Sequence, residues 1–261
     1  MPTGGPSAES AMSAAPLTRV TPAASSAFRA SAPSATPGPL ATSGTDDTLD
    51  LHLPAGPTAP LYDATPASPA RTDLLGAVAD WGPVATVAGV FRLVPVRIDR
   101  DLRLITAWMN DPAVAAFWGL SGPSEVTAAH LRAQLDGDGR SVPCLGTLSG
   151  VPMSYWEVYR ADLDPLARHY PARPHDTGLH VLIGGVTDRG HGIGTALLRA
   201  VSDLVLDNRP RCDRVIAEPD VGNVPSVAAF LGAGFRLAAE VELPDKRAAL
   251  MVRDRSLRDV L

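Results

Sequence analysis

The chain has 261 residues, 45% of them hydrophobic, with a formal net charge of -5 and a pI near 5.6. This composition supports a substantial core, while the acidic balance excludes a general nucleic-acid binder, which needs a concentrated basic surface to neutralise phosphates. No apolar run approaches the ~20 residues needed to cross a bilayer, so no membrane partner is expected.

The opening stretch MPTGGPSAESAMSAAP lacks the cationic region and apolar core of a secretory signal, and a cytoplasmic address is expected. Glu9 and the many prolines argue against an organelle transit peptide. From Met1 to about Pro69 the chain is dominated by Ala, Ser, Thr and Pro, with about half of its 25 prolines. Such a segment cannot bury enough surface to offset the entropy of ordering it. Residues 1–88 therefore read as a disordered leader or linker and residues 89–261 as one folded domain. Cys144 and Cys212 lack the paired spacing of zinc or redox motifs and read as reduced structural thiols; no metal is expected.

A helical turn is conceivable between Arg71 and Trp81, and regular order is expected from about Val90. Val90 to Val96 reads as a strand that Pro95 ends or confines to an edge. Leu102, Ile105 and Trp108 have helical spacing within Asp99 to Met109, and a second helix is predicted from Ser124, as N-cap, to Leu135. Strands at Val142 to Leu148 and Pro152 to Tyr159 flank a Ser149-Gly150 hairpin turn. A polar loop from Arg160 to Thr177 carries His169, Tyr170 and His175. A strand at Gly178 to Ile183, a helix at Gly192 to Asn208, a strand at Asp213 to Glu218 and a helix at Asn223 to Leu231 follow. Phe235 to Leu243 and Lys246 to Val252 close as an antiparallel pair. The order predicts a mixed, mostly antiparallel α/β sheet with a central parallel strand-helix-strand unit and flanking helices.

The most informative segment is GLHVLIGGVTDRGHGIGTALLRAV, Gly178 to Val201. A buried strand runs into a glycine-rich turn that opens a helix with Ile193, Leu197, Val201 and Leu204 on one face. Gly190, Gly192 and Gly194 let backbone amides approach a ligand, and the unsatisfied N–H groups of a helix start favour an anion such as a pyrophosphate. A Walker loop would need Lys before Ser or Thr, but Gly194 is followed by Thr195 and Ala196. A dinucleotide fingerprint has the wrong spacing and would sit too late in the chain.

The Arg189, Gly192 and Gly194 pattern resembles the Arg-x-x-Gly-x-Gly signature of the GNAT acyltransferases, and the element order resembles theirs. YWEVYRADLD from Tyr155, DTGLHVLIG from Asp176, RVIAEPDVGN from Arg214, AGF at Ala233 and LPDKRAALM from Leu243 are similar to the siderophore-biosynthesis N-acyltransferases. That group contains the aerobactin N6-hydroxylysine acetyltransferase and the mycobactin lysine N-acyltransferase. One departure is Arg160, where the group often has an aromatic residue. The resemblance implies acyl-CoA as co-substrate, with acetyl-CoA or another short acyl-CoA as donor, held by Arg189, Gly190, Gly192, Gly194, Thr195 and Asn223. It implies a small-molecule amine or hydroxylamine acceptor and partners within a biosynthetic pathway.

Acyl transfer to nitrogen needs a neutral nucleophile, a proton acceptor and donors for the developing oxyanion. His180, in an otherwise apolar strand, and Glu218, at the end of the next parallel strand, are the catalytic candidates; the resemblance places the group's histidine and carboxylate there. Tyr155, Glu157 and Tyr159 alternate along one strand and share a face. With Asp220 and Lys246 they are candidate substrate contacts. Asn223 also reads as a helix N-cap. Trp108, Phe117 and Trp118 read as core. The alternatives are the same fold acting on an aminoglycoside or a protein N-terminus, and a non-catalytic acyl-CoA-binding module.

Overall fold

The computed structural model describes residues 74–258. Helices are α1 (Ile98–Met109), α2 (Pro112–Trp118), α3 (Ser124–Leu135), α4 (Ile193–Asn208) and α5 (Val224–Gly232). Strands are β1 (Val84–Thr86), β2 (Gly89–Pro95), β3 (Ser141–Leu148), β4 (Val151–Arg160), β5 (Thr177–Ile183), β6 (Arg214–Ala217), β7 (Arg236–Glu242) and β8 (Arg247–Asp254). They form one sheet in the order β1-β2-β3-β4-β5-β6-β8-β7. Every neighbouring pair is antiparallel except β5 and β6, which run parallel and are joined through α4. The mixed sheet with its parallel unit is the architecture expected from the element order. Among the described residues no helix is long and apolar enough to cross a membrane.

Strand periodicity sends alternate side chains to opposite faces, and the two faces build separate cores. Leu145, Tyr155 and Leu182 stand side by side on β3, β4 and β5 and pack with Ile105, Met109 and Leu131 of α1 and α3. On the other face Cys144, Trp156 and Val181 pack in the cluster that contains Leu197, Val201 and Val205 of α4.

Several boundaries differ from expectation. Residues 74–88, assigned to the leader, belong to the fold: β1 lies there, and Leu75, Val78 and Trp81 are buried in the α4-side core. Burying a Leu or Val side chain stabilises by roughly 1.5–3 kcal/mol. Composition averaged over the leader concealed these isolated apolar residues. The rest of the leader lies outside the described residues. Ser124 is the first residue of α3 rather than its cap; Pro123 holds the cap position in an extended conformation and makes no side-chain cap bond. Strand β2 ends at Pro95 and is not an edge, because short β1 covers it. Helix α2 was not anticipated; Asp111 caps it by accepting from the Ala113 amide and Pro112 supplies its first turn.

Two features shape the centre. β5 pairs with β6 only at Thr177 with Val215 and Gly178 with Ile216, although β5 continues to Ile183. The parallel strands therefore splay, and the β5 backbone from Leu179 onward is not bonded to β6. Gly178 is required by close approach: a Cβ there would lie 2.0 Å from the Tyr159 ring.

Candidate active site

The register of β4 and β5 sets Glu157 directly opposite His180, on the face under α1 to α3. His180 Nδ1 bonds Glu157 Oε2 at 2.7 Å, and His180 Nε2 is in close hydrogen-bond contact with Glu218 Oε1. The imidazole is thus held between two buried carboxylates. The Tyr159 hydroxyl donates to Glu218 Oε2 at 2.7 Å, and Lys246 Nζ lies 3.9 Å from Glu218 Oε1.

Glu157 is the most heavily bonded of the cluster. Its Oε1 accepts from the Tyr155 hydroxyl at 2.8 Å and Gln134 Nε2 at 2.7 Å, and lies 2.5 Å from His130 Nε2. Ser141 donates to Gln134 Oε1 at 2.7 Å, which orients the Gln134 amide. With Oε1 so occupied, Oε2 is left to His180. The aromatic rings of Tyr159, at 4.7 Å, and Trp118, at 6.1 Å, flank the imidazole.

This arrangement decides the charges. Burial opposes ionisation of Glu157, but hydrogen bonds and charge from His130 and His180 hold its carboxyl well below the usual range. Burial likewise opposes ionisation of Glu218, and the His180 charge, with help from Lys246 and Tyr159, lowers its pKa. Burial of the His180 ring disfavours its protonation, yet the two carboxylates prevail and raise its pKa from 6.5 to about 10. The directions of these shifts favour a carboxylate–imidazolium–carboxylate chain at neutral pH.

The glycine turn differs in character. Gly190 and Gly192 have φ of +79° and +76°, and nothing lies within 4 Å of where a side chain on either would start. Gly192 occupies the N-cap of α4 without a side-chain cap, so the cap residue leaves the first amides of this 16-residue helix without a side-chain acceptor. Thr195 sits in that first turn, against Gly232 of α5. The Arg189 side chain is committed elsewhere: Nε and Nη2 donate to the carbonyls of Ile183 and Gly184, and Nη1 bonds Asp111. It ties the end of β5 to the start of α2, with one N–H left on each terminal nitrogen.

Two cavities, of about 610 and about 310 Å³, share His130, Glu157 and His180 in their walls. The smaller follows the splay past Leu179, Ala217 and Glu218 to Asn223, and Asp220 and Lys246 also line it. Asn223 caps α5 by accepting from the Ser226 amide, as expected of it, and Asp220 accepts from the Gly222 amide. Trp108 is core, but Phe117 is 43% exposed and, with half-buried Trp118, walls the smaller cavity. Of the polar-loop residues, Tyr170 is buried in a separate cluster and donates to Asp176.

A family model for the acetyltransferase (GNAT) domain matches residues 97–243, over half of the chain. The protein belongs to the GNAT acetyltransferase family. The chain is 37% identical over 155 residues to the N(6)-hydroxylysine O-acetyltransferase of Escherichia coli, which covers 59% of this chain but only 49% of that enzyme. It is 35% identical over 191 residues to the lysine N-acyltransferase MbtK of Mycolicibacterium paratuberculosis, 72% of this chain and 86% of the relative. The chain thus spans about half of the first relative and most of the second. A crystal structure of a Bacillus halodurans protein superposes with a TM-score of 0.61 at 34% identity, covering 66% of this chain and 86% of that one. The aminoglycoside acetyltransferase AAC(6')-Ib, solved with coenzyme A, shares the fold with a TM-score of 0.56 at 24% identity, over 65% of this chain and 96% of its own.

Sequence reasoning missed His130 and Gln134. They are four residues apart on α3 and so share a helix face, beside the stripe of buried Thr127, Ala128 and Leu131. That spacing was the available signal. Their partner, 23 or more residues away on β4, was not visible.

Proposed function

We propose that this protein transfers a short acyl group from acyl-CoA to the terminal, N-hydroxylated amine of a lysine-like or diamine acceptor in siderophore assembly, in the cytoplasm. The observation that carries this reading is the juxtaposition of His180 and Glu218 at the splay of β5 and β6, in a family of acyltransferases. The relatives named for hydroxylysine, lysine and hydroxyornithine support the acceptor class.

The glycine turn fits the pyrophosphate of coenzyme A: uncapped amides, positive-φ glycines and open space above them suit a close-lying anion. The free backbone edge of β5 from Leu179 suits an extended polar arm running alongside it. The bound thioester supplies the electrophilic carbon and a sulfur that leaves with one proton.

The ring of His180 already carries both protons at neutral pH, so it cannot take another. Glu218 is therefore the group that receives the N–H proton, with His180 beside it offsetting the buried negative charge. Glu157 holds Nδ1 and keeps Nε2 aimed at Glu218. The proton lost from nitrogen is the one gained by sulfur, and the Glu218–His180 pair holds it between. A hydroxylamine is far less basic than an alkylammonium and arrives largely neutral, which suits a weakly basic carboxylate; lysine would first have to shed a proton.

Free-thiol release with acetyl-CoA and a panel of N6-hydroxylysine, N-hydroxycadaverine, lysine and an aminoglycoside tests the reading. Turnover is expected with the hydroxylamines. Preference for the aminoglycoside, or release with none of the four, would refute it.

A further inference from the structure

The larger cavity is not used by the chemistry above, which needs only its shared wall. Beyond that wall the lining turns charged: Arg140 and Asp138, with Asp164 across from them and Ser141 and Gln134 beside them. A polar, doubly charged ligand end would find complementary partners.

Arg140 is half exposed and engages Asp138 through Nε and Nη2 and the Leu163 carbonyl through Nη1. A guanidinium has five N–H donors, so one remains on each terminal nitrogen. Asp164 lines the same cavity as Arg140. Its Oδ1 accepts from the Leu166 amide, which leaves Oδ2 available. The ends of a zwitterion therefore have separate partners, a carboxylate at Arg140 and an ammonium at Asp164.

The spacing is set by the sheet. The Arg160 amide donates to the Arg140 carbonyl at 2.8 Å, so Arg140 sits beside residue 160, three positions along β4 from Glu157. At ~3.4 Å per residue the two backbone positions are about 10 Å apart, and both residues line the same cavity. This is of the order of a lysine-like chain measured from its terminal nitrogen to its α-carboxylate. Arg160 itself also lines this cavity and is held by Asp162.

We propose that the larger cavity is the acceptor's distal subsite, in which Arg140 takes the α-carboxylate and Asp164 the α-ammonium of a lysine-like amino acid, so that the enzyme selects amino-acid acceptors over decarboxylated diamines. This rests on the acyl-transfer reading above. The test is the ratio of kcat/KM for N6-hydroxylysine to that for N-hydroxycadaverine, which lacks the carboxylate. The wild-type ratio should be about 10 to 100, the range of one charge-assisted contact. Arg140→Gln should bring it close to one, mainly through KM for hydroxylysine, while Arg140→Lys retains part of it. Asp164→Asn, which preserves the local cap, should also raise KM for hydroxylysine.

A wild-type ratio near one, a ratio unmoved by Arg140→Gln, or a change in acyl-chain preference instead would overturn the proposal. Calorimetry with L-lysine on the same proteins separates it from the transfer reading. If no hydroxylamine is acylated, binding of lysine that Arg140→Gln abolishes would still support the subsite, and binding equal in both proteins, or absent from both, would refute it.

Discussion

The glycine turn and the His180 cluster are built in opposite ways. At Gly190 and Gly192 the chain offers bare backbone, with nothing within 4 Å of where a side chain would start. Around His180, side chains from α3, β4 and β5 and from the residue after β6 satisfy one another in a buried network. A turn of the first kind recognises a charge that comes from outside. A network of the second kind carries its charges permanently, and each is tolerated only because its partners are present. Substitutions in the turn should therefore alter binding alone, whereas those in the cluster should alter chemistry and stability together.

The largest effect is expected for His180→Ala. It should lower turnover by ~10²–10⁴-fold while leaving coenzyme A affinity nearly unchanged, as measured by thiol release and calorimetry. Gly192→Val should do the reverse. A β-branched residue at φ +76° is strained and its side chain would enter the space over the helix start, so affinity for coenzyme A should fall about tenfold or more, with turnover at saturating donor largely kept. If both variants lost binding and turnover alike, the division between turn and cluster would fail.

Glu157→Gln sharpens the comparison within the cluster. It removes one of the two charges that hold His180 protonated and offers an amide where Nδ1 found a carboxylate. The alkaline limb of the pH–rate profile, near 10 in the wild type, should move toward neutrality. A smaller effect concerns stability. His180 has a raised folded pKa, so its contribution is complete below the unfolded value of about 6.5 and is lost as pH rises to about 10. Glu157 and Glu218 have lowered folded values, so theirs is present above about 4.5 and is lost as pH falls. Thermal melts should be highest between about pH 5 and 6.5, and His180→Gln should flatten the decline above that window.

The smallest effect is expected from the N-terminus. Removal of residues 1–70 should leave turnover unchanged. A cut beyond Trp81 should destabilise the fold, because it removes three buried side chains from the α4-side core.

The sheet order and the glycine turn were legible in the sequence because both rest on local signals: alternation, helical spacing and glycines at a helix start. Glu218 was legible because it follows the end of a parallel strand, and His180 because it is a lone polar residue in an apolar strand whose sequence resembles the siderophore N-acyltransferases. The role of Glu157 was only half visible. Alternation put it on one face with Tyr155 and Tyr159, but its bond to His180 depends on strand register, and its bonds to His130 and Gln134 depend on the packing of α3. Arg189 shows the converse. Its place in a signature suggested a ligand contact, but the bonds by which three of its donors tie backbone carbonyls and Asp111 together could not be read there. The charge state of His180 was beyond sequence altogether, since it is set by two carboxylates brought together by the fold.

That charge state is the claim on which the proton route depends. A titration of the His180 ring nitrogens by NMR, assigned by comparison with His180→Gln, addresses it most directly. Both nitrogens are predicted to remain protonated through pH 8, with titration only near 10. A ring that loses its proton near pH 6.5 would contradict the account and return the role of base from Glu218 to His180.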